Sequence, residues 1–315
     1  MQNLLLFTVV GGIAQLIDGS LGMAYGVSST TLLVWTGLAP AVASASVHLA
    51  EMGTTLASGV SHWRLGNVDW RTVRLVALPG AIGAFSGAVA LTSVSAGLAR
   101  PWVAGILLTL GVYILLRFSS GRTFRSGGRP YVRHRYLALL GLAAGFIDAS
   151  GGGGWGPVAT PTLMATGKME PRKVIGSVDT SEFIVAAAAS VGFLAGLGSH
   201  HLDFAVIGLL LAGGLLAAPL AAWLVRRVRP RLLGCTVGGF IIFTNLGTIL
   251  GQAGVAGLGA TVVYSLATAL WAAATARVVR AMRRERFAAG HERGPGNSVR
   301  SADVIVVRDL VTPNS

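Results

Sequence analysis

The most constraining feature of this chain is a glycine-rich break inside an apolar segment. Residues 141–167 read GLAAGFIDASGGGGWGPVATPTLMATG, with five glycines among the six residues from Gly151 to Gly156. Each glycine disfavours a helix by about 1 kcal/mol relative to alanine, so a helix that enters this segment is expected to stop. Irregular backbone at membrane depth needs protein or a water-filled cavity around it. The segment therefore predicts a broken helical hairpin, which in membrane proteins points to a transporter's binding site.

The same pattern occurs earlier in the chain. Residues 11–37 read GGIAQLIDGSLGMAYGVSSTTLLVWTG, and 11 of these 27 positions are identical to residues 130 positions later. After one inserted residue the match continues, with Pro40 opposite Pro171 and Glu51 opposite Glu182. The chain is therefore a duplication of about 120 residues, and this repeat governs the fold prediction.

Composition places the repeat in a membrane. The 315 residues are 53% hydrophobic and 12% charged, whereas a soluble domain has about 25% charged residues. Apolar runs of about 20 residues recur along the chain, as in membrane-spanning helices. The net charge of +13 arises from arginines between these runs, so it indicates orientation signals and not nucleic-acid binding. Cys235 is interpreted as a packing residue, and no cleaved signal peptide is expected because no basic segment precedes Leu4.

The predicted architecture is an all-α integral membrane protein with two broken re-entrant hairpins and about seven transmembrane helices. Its predicted regions are a first repeat (1–117), a basic cytoplasmic linker (118–134), a second repeat (135–251), an extra helix (252–280) and a polar, disordered tail (281–315). The hairpins are predicted at 4–37 and 135–167, and the spans at 41–61, 71–92, 101–117, 172–197, 204–225, 232–251 and 257–279.

The arginine distribution predicts how these elements cross the membrane. The segments 62–74, 117–135, 168–173, 226–231 and 277–286 are rich in Arg or Lys, whereas 37–41, 198–203 and 252–257 have neither. Basic loops face the cytoplasm, so the N-terminus is predicted outside and the C-terminus inside. Each repeat has one hairpin and three crossings, so the two repeats are expected to insert with opposite orientation. The hairpin tips, 18–26 and 148–156, should then meet near the membrane midplane.

Ionisable residues inside the apolar spans lie only at the breaks or on the helix after each break. They are Asp18, His48, Glu51, Asp148, Asp179 and Glu182. Charge inside a membrane is costly, so these six residues are predicted to act in proton coupling. A purely structural role is also open: Asp18 and Asp148 can cap the N–H groups at each break, and His48 and the glutamates can join helices.

The substrate can be an anion or a cation on these observations alone. The second arm of each hairpin begins at the break, so its N-terminal dipole favours an anion. Five carboxylates without an interior Lys or Arg oppose an anion unless some of them are protonated, as buried carboxyls tend to be. Gly151-x-Gly153-x-x-Gly156 matches the dinucleotide fingerprint only by letter, and HExxH, CxxC and GxxxxGK motifs do not occur. No cofactor or metal is predicted.

Three segments together resemble the TauE/SafE sulfite exporter family. They are the duplicated glycine-rich hairpin, the run GSVDTSEF at 176–183 and the loop HWRLGNVDWR at 62–71. The resemblance covers about 5–251 and implies a multi-pass permease of the bacterial inner membrane for small sulfur-containing anions, such as sulfite, sulfoacetate or other organosulfonates. The family's glycine motif maps fully onto Gly151–Gly156, but onto the first repeat only as Gly19, Gly22 and Gly26.

The sequence thus predicts a transporter, not an enzyme, that exports a small sulfur-containing anion with proton coupling. Its partners would be the anion, protons and the lipid bilayer, without nucleic acid. The predicted substrate-binding residues are Ser20, Gly22, Gly26, Thr30, Ser150, Gly152, Gly153, Gly154, Gly156 and Thr160. A proton-coupled cation carrier remains an alternative. So do an intramembrane hydrolase that uses His48 with Ser20 or Ser150, and a non-transporting membrane subunit.

Overall fold

The repeat is visible in the order of the helices. The computed structural model describes residues 2–21, 23–120, 132–166, 168–199, 202–224 and 230–292, and these residues form helices without strands. The helices are α1 (Gln2–Leu21), α2 (Tyr25–Trp35), α3 (Pro40–Arg64), α4 (Trp70–Ser93), α5 (Ala96–Ser119), α6 (His134–Gly151), α7 (Trp155–Ala165), α8 (Pro171–Leu197), α9 (Phe204–Leu224), α10 (Pro230–Gln252) and α11 (Gly257–Glu292). Helices α1–α5 therefore correspond in order to α6–α10, and α11 has no counterpart.

Helix boundaries follow from local sequence signals that occur in both halves. Pro40 and Pro171 open α3 and α8, where proline's fixed φ suits the first helical turn. The Asp69 carboxylate accepts a hydrogen bond from the Thr72 N–H at 2.9 Å and caps α4. Asp203 caps α9 through the Ala205 N–H, also at 2.9 Å. The duplication therefore extends to the residues that start the helices.

Helix contacts between the halves are also matched. The most extensive contacts include α4 with α6 and its counterpart α9 with α1, together with α5 against α10 and α3 against α8. A Cβ at Gly11 would collide with the Leu210 carbonyl oxygen, and a Cβ at Gly141 would collide with that of Val76. Val76 and Leu210 each lie seven residues after the capping aspartate of their helix. The first arm of each hairpin thus packs at the same place on the other half.

Five of the described helices are long and apolar enough to cross a membrane: α4, α5, α8, α10 and α11. The structure is therefore consistent with an integral membrane protein, as predicted. Spans were also predicted for α3 and α9. The described apolar stretch of α9, Phe204–Ala218, is shorter, and α3 carries buried polar residues such as His48 and Glu51 along its 25 residues.

One segment differs from the predicted boundaries. Helix α11 continues to Glu292, so 281–292, predicted to be part of a disordered tail, are helical. The reason is composition, because Ala, Arg, Met and Glu are strong helix formers. The remaining tail, 293–315, and most of the predicted linker, 121–131, lie outside the described residues.

Candidate transport site

The two hairpins break where the repeat predicts, between α1 and α2 and between α6 and α7. In the second hairpin, the Asp148 carbonyl accepts hydrogen bonds from the Gly152 and Gly153 N–H groups. Gly152 and Gly153 have φ values of 76° and 136°, a conformation that side chains disfavour. Ala24 in the first hairpin has φ 105° and is the only non-glycine residue with positive φ in the part of the chain described. The glycine-poor first break therefore carries backbone strain that the second avoids.

An aspartate spans each break in the same way. The Asp18 Oδ1 accepts a hydrogen bond from the Tyr25 N–H at 3.2 Å, and the Asp148 Oδ1 accepts one from the Trp155 N–H at 3.0 Å. Tyr25 and Trp155 are the first residues of α2 and α7. The capping interpretation of both aspartates is therefore confirmed, and each carboxylate ties the end of one arm to the start of the next.

The tips of the two hairpins are in direct contact. A Cβ at Gly26 would lie 2.9 Å from the Gly153 Cα, and a Cβ at Gly156 would lie 3.2 Å from the Met23 Cβ. A Cβ at Gly152 would collide with the Thr30 side chain. Glycine at these positions thus permits the close approach of two chain segments about 130 residues apart. Gly22 and the side chain of Ser20 lie outside the described residues.

His48 on α3 binds the break of the second hairpin. Its Nε2 lies 3.1 Å from the Asp148 Oδ2, and its Nδ1 lies 2.8 Å from the Ser44 carbonyl oxygen. The Ser44 hydroxyl donates a hydrogen bond to the Ala149 carbonyl oxygen at 2.9 Å. His48 is fully buried, with its ring 5.8 Å from that of Phe193. Helix α3 therefore holds the break through two side chains one turn apart.

Hydrogen-bond chemistry determines what the His48–Asp148 pair contains. A carbonyl oxygen only accepts, so Nδ1 of His48 must carry a proton to bond Ser44. The contact between Nε2 and Oδ2 then needs one further proton, on the ring or on the carboxyl. In both forms the pair has no net charge. One of the five interior carboxyls is thereby neutralised locally.

The other acidic residues surround the contact between the tips. Glu51 is 1% exposed, and its Oε1 would lie 3.0 Å from a Cβ at Gly26. Glu182 is half-buried and interacts electrostatically with Glu51, Asp148 and Asp18. Asp179 interacts with Asp18 and with the Ser58 hydroxyl. The structure therefore brings together the six ionisable residues that the sequence singled out.

Several buried polar atoms at this place have no hydrogen-bond partner among the described residues. They are Gln15 Oε1, Tyr25 Oη, Ser28 Oγ, Thr30 Oγ1, Glu51 Oε2, Thr160 Oγ1 and Asp179 Oδ2. A buried polar atom without a partner typically costs about 1–3 kcal/mol, so native proteins keep few of them. Their grouping on the hairpins and the helices after them is typical of a site that binds a polar ligand.

Two of the residues predicted to bind substrate, Ser150 and Gly154, contact other parts of the second half or of α5. The Ser150 hydroxyl donates to the Phe146 carbonyl at 2.6 Å, and the space beside Gly154 is taken by Ile147 and Leu110. Ser150 therefore bonds within its own helix and is not paired with His48. Among the described residues, no three His, Cys, Asp or Glu side chains are placed to hold a metal ion.

Sequence reasoning missed other residues of the site. Ser44, Gln15 and Tyr25 are uncharged, so the search for ionisable residues in apolar spans did not single them out. Asn245 on α10 is 2% exposed and donates hydrogen bonds to Thr31 Oγ1 at 3.3 Å and the Ile241 carbonyl at 2.9 Å. The only available signal for Asn245 was an amide within an apolar span, which polar interhelical contacts often use.

Comparisons with known proteins identify the family of the chain. The family described as "Sulfite exporter TauE/SafE" matches residues 7–248. The chain is 50% identical over 259 residues to "Probable membrane transporter protein YtnM" of Bacillus subtilis (strain 168), covering 80% of this chain and 84% of that protein. It is 24% identical over 208 residues to "Probable membrane transporter protein YdhB" of the same organism, covering 65% of this chain and 82% of that protein.

No solved structure matches the chain. The family match spans both hairpins and every matched helix, and the relatives share most of the chain's length. The protein is therefore a multi-pass membrane transporter, not an enzyme, and belongs to the TauE/SafE sulfite exporter family.

Proposed function

We propose that this transporter exports a small sulfur-containing anion, such as sulfite or an organosulfonate, across the bacterial plasma membrane, and that proton movement drives the export. The observation that carries the proposal is the contact between the two hairpin tips, surrounded by unpartnered buried polar atoms. The matching family is described as a sulfite exporter, which supports a sulfur-containing anion. The site residues support a compact oxyanion because hydroxyl donors and helix N-termini meet there.

Donors for the anion would come from both hairpins. Asp18 and Asp148 already accept the first N–H of α2 and α7, so an anion would use the Thr30 and Thr160 hydroxyls and the remaining N–H groups of the first turns. Thr30 and Thr160 occupy matched positions, each 1% exposed or less. The two halves of the site would therefore present the same donor to one ligand.

Protonation would make the acidic site compatible with an anion. The His48–Asp148 pair has no net charge while it shares its proton. Glu51, Glu182, Asp18 and Asp179 interact with one another. Ionisation of all four carboxyls in one cluster is unfavourable because like charges repel. We assign Glu182 as the proton carrier and Glu51 as a residue that shapes the site.

The topology that we propose has two repeats inserted with opposite orientation. The matched contacts α1–α9 and α6–α4 are those expected when a two-fold axis exchanges the halves, and the odd number of crossings in each repeat would place that axis in the membrane plane. The membrane path would use seven spans, including α3 and α9, with the N-terminus outside and the C-terminus in the cytoplasm. A phosphatase fused after Ser120 should be inactive, and one fused after Gly254 should be active. The reverse activities would contradict the orientation.

A proton-coupled cation carrier is the second candidate, because the six-residue cluster contains five carboxyls. Flux into proteoliposomes distinguishes an anion transporter from a cation carrier. We expect sulfite or sulfoacetate flux that increases with a pH gradient, and no comparable sodium or potassium flux. Thr30→Val and Thr160→Val keep the shape of the side chain and should each lower anion flux. Thr236→Val, on the exposed face of α10, is the matched control. Flux of a cation alone would overturn the anion proposal.

A further inference from the structure

A groove of about 1230 Å³ runs along α5, outside the transport site. Helices α6, α7 and α11 complete its walls. Its lining on α5 extends from Pro101 to Ser120, about 28 Å at 1.5 Å per residue. That length is close to the roughly 30 Å thickness of the hydrocarbon core of a bilayer. The volume exceeds the roughly 300–1,000 Å³ of pockets for small molecules.

The groove is apolar along most of its length and basic at one end. Trp102, Ile106 and Leu110 line its apolar part, whereas Arg117, Tyr136 and Arg277 line the other end. Arg277 is placed there because its neighbour Val278 packs against Leu115, close to Arg117. The described residues of the lining include no Asp or Glu. Ser119 and Ser120, the last described residues before the basic segment that is predicted to be cytoplasmic, also line the groove.

Comparison of the two halves shows why a ligand fits here. Helix α2 of the first half packs on α10 of the second half, and Thr31 accepts a hydrogen bond from Asn245. The position of Thr31 in α2 is matched by Pro161 in α7, each six residues after the start of its helix. The position of Asn245 in α10 is matched by Leu116 in α5, each fifteen residues after a proline, Pro230 or Pro101. Both Pro161 and Leu116 line the groove. The groove therefore lies between α7 and α5, where the matched pair α2 and α10 is in direct contact.

We propose that this groove binds one anionic phospholipid of the cytoplasmic leaflet. The acyl chains would lie along α5 and α7, and the phosphate would contact Arg117 and Arg277. The aromatic rings of Tyr113 and Tyr136 at the same end suit the boundary between chains and headgroup. The lipid would also contact Pro157 and Pro161 of α7, the arm that Asp148 caps. Bound lipid would therefore support the second hairpin from its outer side.

Native mass spectrometry of the purified chain tests the proposal, with phosphatidylglycerol and phosphatidylcholine of identical acyl chains as probes. Wild-type protein should retain one phosphatidylglycerol in preference to phosphatidylcholine. Arg277→Gln should reduce this preference about fivefold, the factor for one arginine near an anionic lipid surface. Arg280→Gln is the matched control, because Arg280 is also exposed on α11 but does not line the groove.

A second variant tests the apolar part independently. A Cβ at Gly105 meets nothing within 4 Å, so Gly105→Leu should fill the groove without disturbing the fold and should abolish retention of the lipid. Gly208→Leu is the control, because its Cβ also meets open space, on α9. Equal retention of the two lipids, equal losses in Arg277→Gln and Arg280→Gln, or unchanged retention in Gly105→Leu would overturn the proposal. So would a dimer that only Gly105→Leu dissociates, since a second copy would then occupy the groove.

Discussion

His48 and Asp148, which lie in different repeats, are joined by a contact of 3.1 Å between Nε2 and Oδ2. The same carboxylate uses its Oδ1 to hold the first N–H of α7. One side chain thus connects a proton-sharing pair to the start of the second hairpin arm. A change in protonation of the pair would alter what holds that arm.

Asp148→Asn should separate the structural role of Asp148 from its proton. The amide oxygen can still accept from the Trp155 N–H, and the amide NH₂ can donate to the unprotonated Nε2 of His48. We expect a folded protein whose anion flux no longer responds to a pH gradient. His48→Ala is the contrasting variant, because a buried partner left unpaired costs about 3–5 kcal/mol and should lower the melting temperature. A full pH response in Asp148→Asn would contradict a role of this pair in coupling.

Glu182→Gln should uncouple transport without preventing binding. Glutamine keeps the size and hydrogen bonding of glutamate but does not release a proton. Substrate binding to purified protein should remain, whereas flux driven by a pH gradient should fall at least tenfold. Glu170→Gln is the matched control, because Glu170 is exposed and paired with Arg172. Uptake that keeps its response to the gradient in Glu182→Gln would refute the assignment.

Gly153→Ala should destabilise the protein and stop transport. Its Cβ would meet the backbone of Gly26 and Val27 at a φ of 136°, so both the tip contact and the conformation oppose a side chain. Strain of this kind costs about 1–3 kcal/mol. Thermal unfolding should show a lower melting temperature than Gly208→Ala, whose Cβ meets open space. Equal melting temperatures and normal flux would mean that neither stability nor transport depends on the close approach of the two tips.

Asn245→Leu should weaken the contact between α10 and α2. The substitution removes the hydrogen bond to Thr31 and leaves that hydroxyl buried, which costs about 1–3 kcal/mol. Leucine is close to asparagine in shape, so steric disturbance should be small. We expect a lower melting temperature, with the loss partly recovered in the double variant Thr31→Val, Asn245→Leu, which leaves neither polar partner buried. Additive losses in the double variant would show that the two residues are not coupled.

The sequence predicted those features that repeat or that break a local rule. The hairpin breaks followed from glycine's cost in helices, and the aspartate caps followed from their position before each break. The meeting of the tips followed from the duplication. Pairing of His48 with Asp148 could not be predicted, because it depends on how α3 of one half packs against α6 of the other. Residues without a repeat partner, such as Asn245, gave no comparable signal.

Helix α3 touches both hairpins through residues three positions apart. His48 binds the second break, and Glu51 lies against Gly26 of the first, with about 4.5 Å of helix rise between them. A short piece of helix is stiff, so displacement of one tip would also displace the other. We expect such a linkage to prevent both tips from withdrawing at once. The protein would then not form an open pore that dissipates the proton gradient of the cell, even when it changes conformation without bound substrate.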